Sequence, residues 1–389
     1  QVDGLGLAHE RFGKLPWTTV LAPAIEHAER GMPVDWFATL RVAMTARELA
    51  RYPTTAPVWL PGGFPAVTPP GAEPTRVRVP NLADTMRRLA VAGRRDLYEG
   101  ALAKKLIADF ANVGSVVEAD DLTSYQARLV EPLAFRHGDA TVLTADGLTA
   151  GPTLAKALER VALAKLTGAA PGADAFVAYA EGLHAAYEER FATMGDVREP
   201  VEPACTTHLN VIDREGNVVA LTQTLLSVFG SKVLMPETGV LMNNGIMWFD
   251  PRPGRRNSIG ANKRPLSNMC PAIATRDGAP WFAIGASGGR KIVSAVAQLI
   301  SFLTDFRMDL ETAFHQPRID VSGETKIRID TRLADDVADA VAARYPSHRA
   351  EHTVLPVNYA CPCAIQIGPD GERTGITDVM TPGSGAAVA

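Results

Sequence analysis

Cysteine is scarce, four in 389 residues, so the chain cannot build the disulfide framework that staples small secreted domains. An excess of positive charge is also missing: 39 Lys and Arg face 43 Asp and Glu, for a net charge of −4. Basic and acidic residues number 21 and 25 through Cys205, and 18 of each from Thr206 onward. A nucleic-acid binder draws most of its affinity from a concentrated positive field, and neither part offers one. Long apolar runs are absent too. Residues 292–303 fall short of the ~20 residues a bilayer requires, and Ser294, Gln298 and Ser301 interrupt them. Aromatics make up 6%, but 46% hydrophobic and 21% charged residues at a mean hydropathy of +0.01 describe a globular chain and exclude fibrous or wholly disordered ones. The length suits two or three domains, or one large layered core.

There is no initiating Met. The chain opens on Gln1 in a stretch that reads as the middle of an element, so a fragment is expected, with any targeting segment upstream. The working expectation for compartment is cytoplasmic. Cys361-Pro-Cys363 has the look of half a metal site, yet the other cysteines are isolated and no histidine sits at ligand spacing. Structural cysteines are expected, with no metal, no cofactor and no nucleic-acid or membrane partner.

Two textures divide what is present. Up to residue 204 the chain reads as mostly helical, with helices expected over 18–30, 36–51, 81–92, 101–111, 153–166 and 173–193. Residues 53–80 are Pro-rich and read as surface loop; 195–203 are polar. One strand is expected near 140–143. From Thr206 short strands take over: 207–212 and 218–225 around the turn Asp213-Arg214-Glu215-Gly216-Asn217, then 271–275 with 280–286, and 364–367 with 375–379. An apolar helix is expected over 290–306. Helices first, then hairpins and helices, indicate a layered α+β arrangement.

The first hairpin can be counted. If Ile212 pairs with Val218 across the five-residue turn, Thr206 lies opposite Thr224. Opposed residues on antiparallel strands have Cα atoms about 4.5–5.5 Å apart, so the two hydroxyls come within hydrogen-bonding reach. Threonine also simply favours strands, and the pairing alone does not choose between these readings. A second feature is Ser287-Gly288-Gly289, between a strand and a helix N-terminus, where free N–H groups suit an oxyanion or anion site. A plain Gly-Gly connector is as common, and neither a dinucleotide fingerprint nor a phosphate loop is present.

Taken together, Cys205-Thr206-Thr207-His208, Phe229-Gly230-Ser231-Lys232, Gly239-Val240-Leu241-Met242-Asn243-Asn244, Lys263-Arg264-Pro265-Leu266-Ser267 and Ser287-Gly288-Gly289 resemble the small subunit of γ-glutamyltranspeptidases. Phe12-Gly13-Lys14-Leu15-Pro16-Trp17, Leu97-Tyr98-Glu99-Gly100 and Asp121-Leu122-Thr123-Ser124-Tyr125 resemble the large one, so the likeness covers nearly the whole chain. The resemblance implies an N-terminal nucleophile hydrolase with a four-layer αββα sandwich, here N-terminally incomplete. It implies cleavage of a precursor between Cys205 and Thr206 into a large subunit, 1–205, and a small one, 206–389, together one domain. Pairing of two such heterodimers is left open. Thr206 would be nucleophile and, through its freed amine, base; Thr224 would support it, and Gly288 and Gly289 would form the oxyanion hole.

Departures bear on the substrate. The classical acidic pair after Asn-Asn is replaced by Met247 and Trp248, a family asparagine by Leu226, and the second serine of a Ser-Ser pair by Asn268 after Ser267. The segment with the carboxylate-binding arginine would precede Gln1. No carboxylate is left to meet an ammonium, which moves the expectation from γ-glutamyl compounds to a small acidic substrate beside an apolar wall of Leu226, Met247 and Trp248. This version resembles a bacterial branch that includes an oxamate amidohydrolase and enzymes releasing an oxalyl group by C–C cleavage. Alternatives are a true γ-glutamyl hydrolase or transpeptidase, and a processed but catalytically silent binding protein. His208 is expected to pack beside the site rather than act as an acid. Asn243 and Asn244 are expected to fix a turn, Arg264 to pair within the fold or with a substrate acid, and Trp281 to be core.

Overall fold

The computed structural model describes residues 1–196, 204–355 and 358–388, which group into two compact units. The first comprises 1–129 and 228–243, the second 130–227 and 244–388. Most of the polar stretch 195–203, and the side chain of Cys205, lie outside the described residues.

The first unit is helical: Val2–Phe12, Trp17–Arg30, Trp36–Leu49, Leu82–Ala92 and Ala101–Asn112. Its apolar residues form two small clusters, one around Leu49, Trp59 and Val77 and one around Leu106, Phe110 and Met235. The opening residues are tied down, since buried Asp3 pairs with Arg94 and Arg95 and accepts from the Ala127 N–H.

The second unit holds the main core and every candidate site residue. Six antiparallel strands run side by side: Arg373–Thr377, Cys361–Ile367, Ala279–Ser287, Ala272–Arg276, Ala140–Thr144 and Leu133–His137. Helices Gly151–Ala162, Ala173–Glu189 and Lys291–Thr304 pack with the sheet into one core. On the last, every residue from Ile292 to Thr304 is buried. Its polar members are satisfied: Gln298 bonds the backbone N–H and carbonyl of Ile319, and Ser301 bonds Tyr179 and Asp305. Trp281 through Ala286 are all buried, as a strand covered on both faces requires. Arg276 stacks over the Trp281 ring at 3.3 Å from its centroid.

A separate two-stranded sheet, Ala204–Ile212 with Val218–Ser227, lies on this strand. The His208 ring fits only because residue 285 is glycine, since a Cβ there would stand 2.2 Å from it. Asn210 donates to the Cys363 carbonyl at 3.0 Å, and Cys363 pairs with Gly285, so both contacts fall on one spot of the large sheet. The expected elements are present with small shifts at their ends. The strand Leu133–His137, which sequence reading does not anticipate, pairs with Ala140–Thr144 across the two-residue turn Gly138-Asp139, where Gly138 takes φ +57°.

Candidate active site

The turn Asp213–Asn217 is locked by its own side chains. Asp213 Oδ1 accepts the Asn217 N–H at 2.8 Å and Oδ2 accepts its side-chain amide at 2.7 Å, while Gly216 takes φ +83°. That turn sets the register: Ile212 pairs with Val218 and Thr206 with Thr224, as counting predicts. The Thr206 hydroxyl donates to Thr224 Oγ1 at 3.2 Å, and Thr224 Oγ1 accepts the Leu226 N–H at 2.8 Å. Both threonines are half-buried.

Beyond Thr206 the pairing slips. Cys205 opposes Leu226, leaving Leu225 extra, so a bulge sits at the Cys205–Thr206 junction. Leu226 there has φ +79°, a left-handed backbone that is strained for a branched residue. Its side chain is 2% exposed and packed into the fold, so it offers no open wall. The bulge was not legible, because a regular turn count carries the same register to the end of the strand.

Valine at position 224 would remove the acceptor of two hydrogen bonds. A net bond is worth about 1 kcal/mol and an orphaned N–H about 1–3. Thr224→Val is therefore expected to lower turnover by roughly ten-fold or more. Steady-state kinetics at an unchanged rate would detach Thr224 from the site.

His208 shares the inner face of the hairpin with Thr206. Its Nε2 lies 2.9 Å from Asn210 Oδ1 and its Nδ1 2.7 Å from Thr222 Oγ1. Asn210 spends its amide N–H on Cys363, so its Oδ1 accepts; Nε2 then carries the proton and Nδ1 receives the Thr222 hydroxyl. Burial holds the imidazole below the usual range, so it stays neutral. With both nitrogens engaged it is a packed residue, as expected from sequence. Because the unfolded chain takes up this proton first, the stabilising contribution is complete above the unfolded-state value of about 6.5 and is lost as pH falls through it. The melting-temperature gap between wild type and His208→Gln should narrow from pH 7.5 to 5.5; a constant gap would mean a charged ring is tolerated there.

The Gly-Gly element ends the strand Ala279–Ser287 and leads into the helix Lys291–Thr304. Gly288 has φ +138° and Gly289 φ +65°. A Cβ on Gly288 would stand 2.8 Å from Ala360 Cα, so backbone approaches backbone here. Gly285, under the His208 ring, lies three residues before Gly288 on the strand that leads into the turn, so the hairpin crosses that strand a few residues from the Gly-Gly element.

Asn244 fixes the neighbouring turn, as expected. Its Oδ1 accepts the Ser227 N–H at 3.0 Å, its Nδ2 donates to Ser227 Oγ at 2.8 Å, and its N–H reaches the Leu225 carbonyl at 3.0 Å. The 3₁₀ turn Gly245–Trp248 is thereby held beside the bulge, with Met247 exposed and Trp248 half-buried. Asp250 is the one carboxylate between 243 and 258, and Arg252 claims it through Nε at 2.9 Å and Nη2 at 3.1 Å, holding it below the usual carboxylate range. Ser267 and Asn268 are buried: Ser267 Oγ donates to the Leu148 carbonyl at 3.3 Å, and Asn268 Oδ1 accepts from Arg190 at 3.0 Å. Arg264 is exposed on the loop. Cys361 pairs with Ser287 across the sheet, and no group of three metal-ligating side chains occurs among the described residues. No described helix is long and apolar enough to cross a membrane.

A two-stranded sheet bearing opposed threonines, laid on a larger antiparallel sheet backed by helices, has the fold of an N-terminal nucleophile hydrolase. The structure is similar to cephalosporin acylase from Bacillus halodurans, with a TM-score of 0.86 at 21% identity over 100% of this chain and 77% of that one. The sequence profile described as gamma-glutamyltranspeptidase matches residues 1–204 and 197–388, and the chain belongs to that family. It is 31% identical over 416 residues to the Acylase ACY 1 proenzyme of Pseudomonas sp. (strain V22), covering 97% of this chain and 73% of that protein. To the glutathione hydrolase proenzyme of Escherichia coli (strain K12) it is 25% identical over 431 residues, 97% of this chain and 72% of that one. The protein is thus a hydrolase of the γ-glutamyltranspeptidase and acylase type.

Proposed function

We propose that the chain is a precursor cut between Cys205 and Thr206, and that residues 206–389 form a small subunit opening on a threonine nucleophile. The observation that carries this reading is the Thr206 hydroxyl donating to Thr224 directly beside a backbone bulge. Freed by cleavage, the Thr206 α-amine, with an ordinary pKa of about 8, takes the hydroxyl proton as Oγ1 attacks a carbonyl. The Gly288 and Gly289 N–H groups receive the developing oxyanion. The proton passes to the leaving group as its bond to the carbonyl carbon breaks, and water then releases the acyl group from Oγ1.

The substrate we assign is a small acidic amide or oxalyl-type compound, with C–C cleavage open to the same machinery when the leaving carbon is stabilised. Two observations support an acidic substrate. Residues 249–264 carry five cations against Asp250 alone, a field that gathers anions. Asp250 is held by Arg252, so no free carboxylate in that loop can bind the α-ammonium of a γ-glutamyl group. The acylase relatives favour amide cleavage. The glutathione hydrolase relative supports a second reading, true γ-glutamyl transfer. A screen of oxamate, γ-glutamyl anilides and oxalyl-bearing carbon acids, with detection of the released acid, separates them. Turnover of the oxalyl group is expected; rapid, saturable release from the anilide would put the γ-glutamyl reading first.

A further inference from the structure

Arg190 sits on the π-helical turn Arg190–Met194 and is 2% exposed, yet all five of its N–H groups meet acceptors. Nε donates to Asp196 Oδ2 at 2.5 Å, Nη1 to the Thr149 carbonyl at 3.2 Å and Thr153 Oγ1 at 3.3 Å. Nη2 donates to the Ser267 carbonyl at 2.9 Å and Asn268 Oδ1 at 3.0 Å. Only a guanidinium has this fork; a lysine brings three donors from one point.

The other oxygen of Asp196 accepts from Arg290 Nη2 at 2.9 Å. Arg290, 8% exposed, directly follows Gly288-Gly289, and its carbonyl accepts the Tyr187 hydroxyl. One carboxylate therefore joins a guanidinium that grips Ser267 and Asn268 to another at the Gly-Gly turn. Asp196 also lies nine residues before Cys205, on the chain that leads into the proposed cleavage point. Gly195, φ +80°, makes the bend that sets it there, and a Cβ at this glycine would stand 2.9 Å from the Asn257 nitrogen.

We infer that Arg190, Asp196 and Arg290 form a clamp that fixes Asp196, nine residues ahead of the Cys205–Thr206 bond, between the guanidinium holding Ser267 and Asn268 and the one that follows Gly288–Gly289, and so sets the rate of precursor conversion. This rests on the proposed cleavage. The carboxylate acts through position, since Asp196 is the shared partner of two buried cations. Misplacement by an ångström is enough to cost orders of magnitude in an intramolecular reaction.

The test uses the full chain, isolated as monodisperse precursor, with conversion followed by intact mass at a temperature well below each variant's melting point. Asp196→Asn is expected to slow the first-order constant at least about ten-fold, and Asp196→Glu to recover part of the loss. A role confined to stability would lower the melting temperature and leave that constant unchanged. If Asp196→Asn yields no folded protein, Arg190→Lys and Arg290→Lys, which keep charge but lose the fork, are read in the same way and are expected to convert more slowly. A wild-type chain that cuts normally beside folded variants that cut equally fast overturns the clamp alone. A wild-type chain that turns over substrate while whole overturns the cleavage reading, and the clamp's role with it.

Discussion

Replacing Thr206 by alanine is expected to leave a full-length chain with no measurable turnover, a loss of at least about 10³-fold. The substitution removes the hydroxyl that donates to Thr224 Oγ1, and with it the group proposed to attack both the scissile peptide and the substrate. The strands should not suffer. Thr206 is half-buried and its register with Thr224 is set by the Asp213–Asn217 turn at the far end of the hairpin. The melting temperature should thus move little while both activities vanish together. Serine at 206 should retain part of each, since it keeps the hydroxyl. Turnover surviving in Thr206→Ala would reject this nucleophile.

Alanine at Gly288 is expected to lower kcat by about 10²–10³-fold, the usual effect of losing an oxyanion donor. The cause is backbone geometry. At φ +138° an L-residue is strained, and its Cβ would stand 2.8 Å from Ala360 Cα and 2.9 Å from Ala360 Cβ, both parts of a packed neighbour that cannot swing aside. The turn must shift, moving the N–H groups of 288 and 289 off the oxyanion position proposed for them. KM should change less than kcat, because ground-state binding does not depend on those donors. Kinetics on the converted protein that show kcat within about threefold of wild type would remove the Gly-Gly turn from the site.

How much of this could be read in advance depended on distance along the chain. The Thr206–Thr224 pairing was legible because one short turn with its own side-chain locks fixes the register of everything behind it. Helices such as Trp17–Arg30 and Leu82–Ala92 were legible from periodicity and the glycines that end them. The Gly288–Gly289 turn could be placed on an element, but its left-handed geometry follows from Ala360, a neighbour brought in by another strand. Arg190 gave no local signal at all. It follows Glu188 and Glu189 and looks like one more charge on a helix face, whereas its partners Ser267 and Asn268 lie nearly eighty residues away. Leu226 and Asp250 show the same limit from the other side. Sequence presented one as a pocket wall and passed over the other, while packing buries Leu226 and commits Asp250 to Arg252.

On the proposed function, the working enzyme begins a chain at Thr206. Intact mass spectrometry of purified, active protein tests it most directly. Two polypeptides are expected, with masses that place the break between Cys205 and Thr206 and with Thr206 as the N-terminal residue of the smaller one. Active material consisting of one unbroken chain, or broken at another bond, would contradict it.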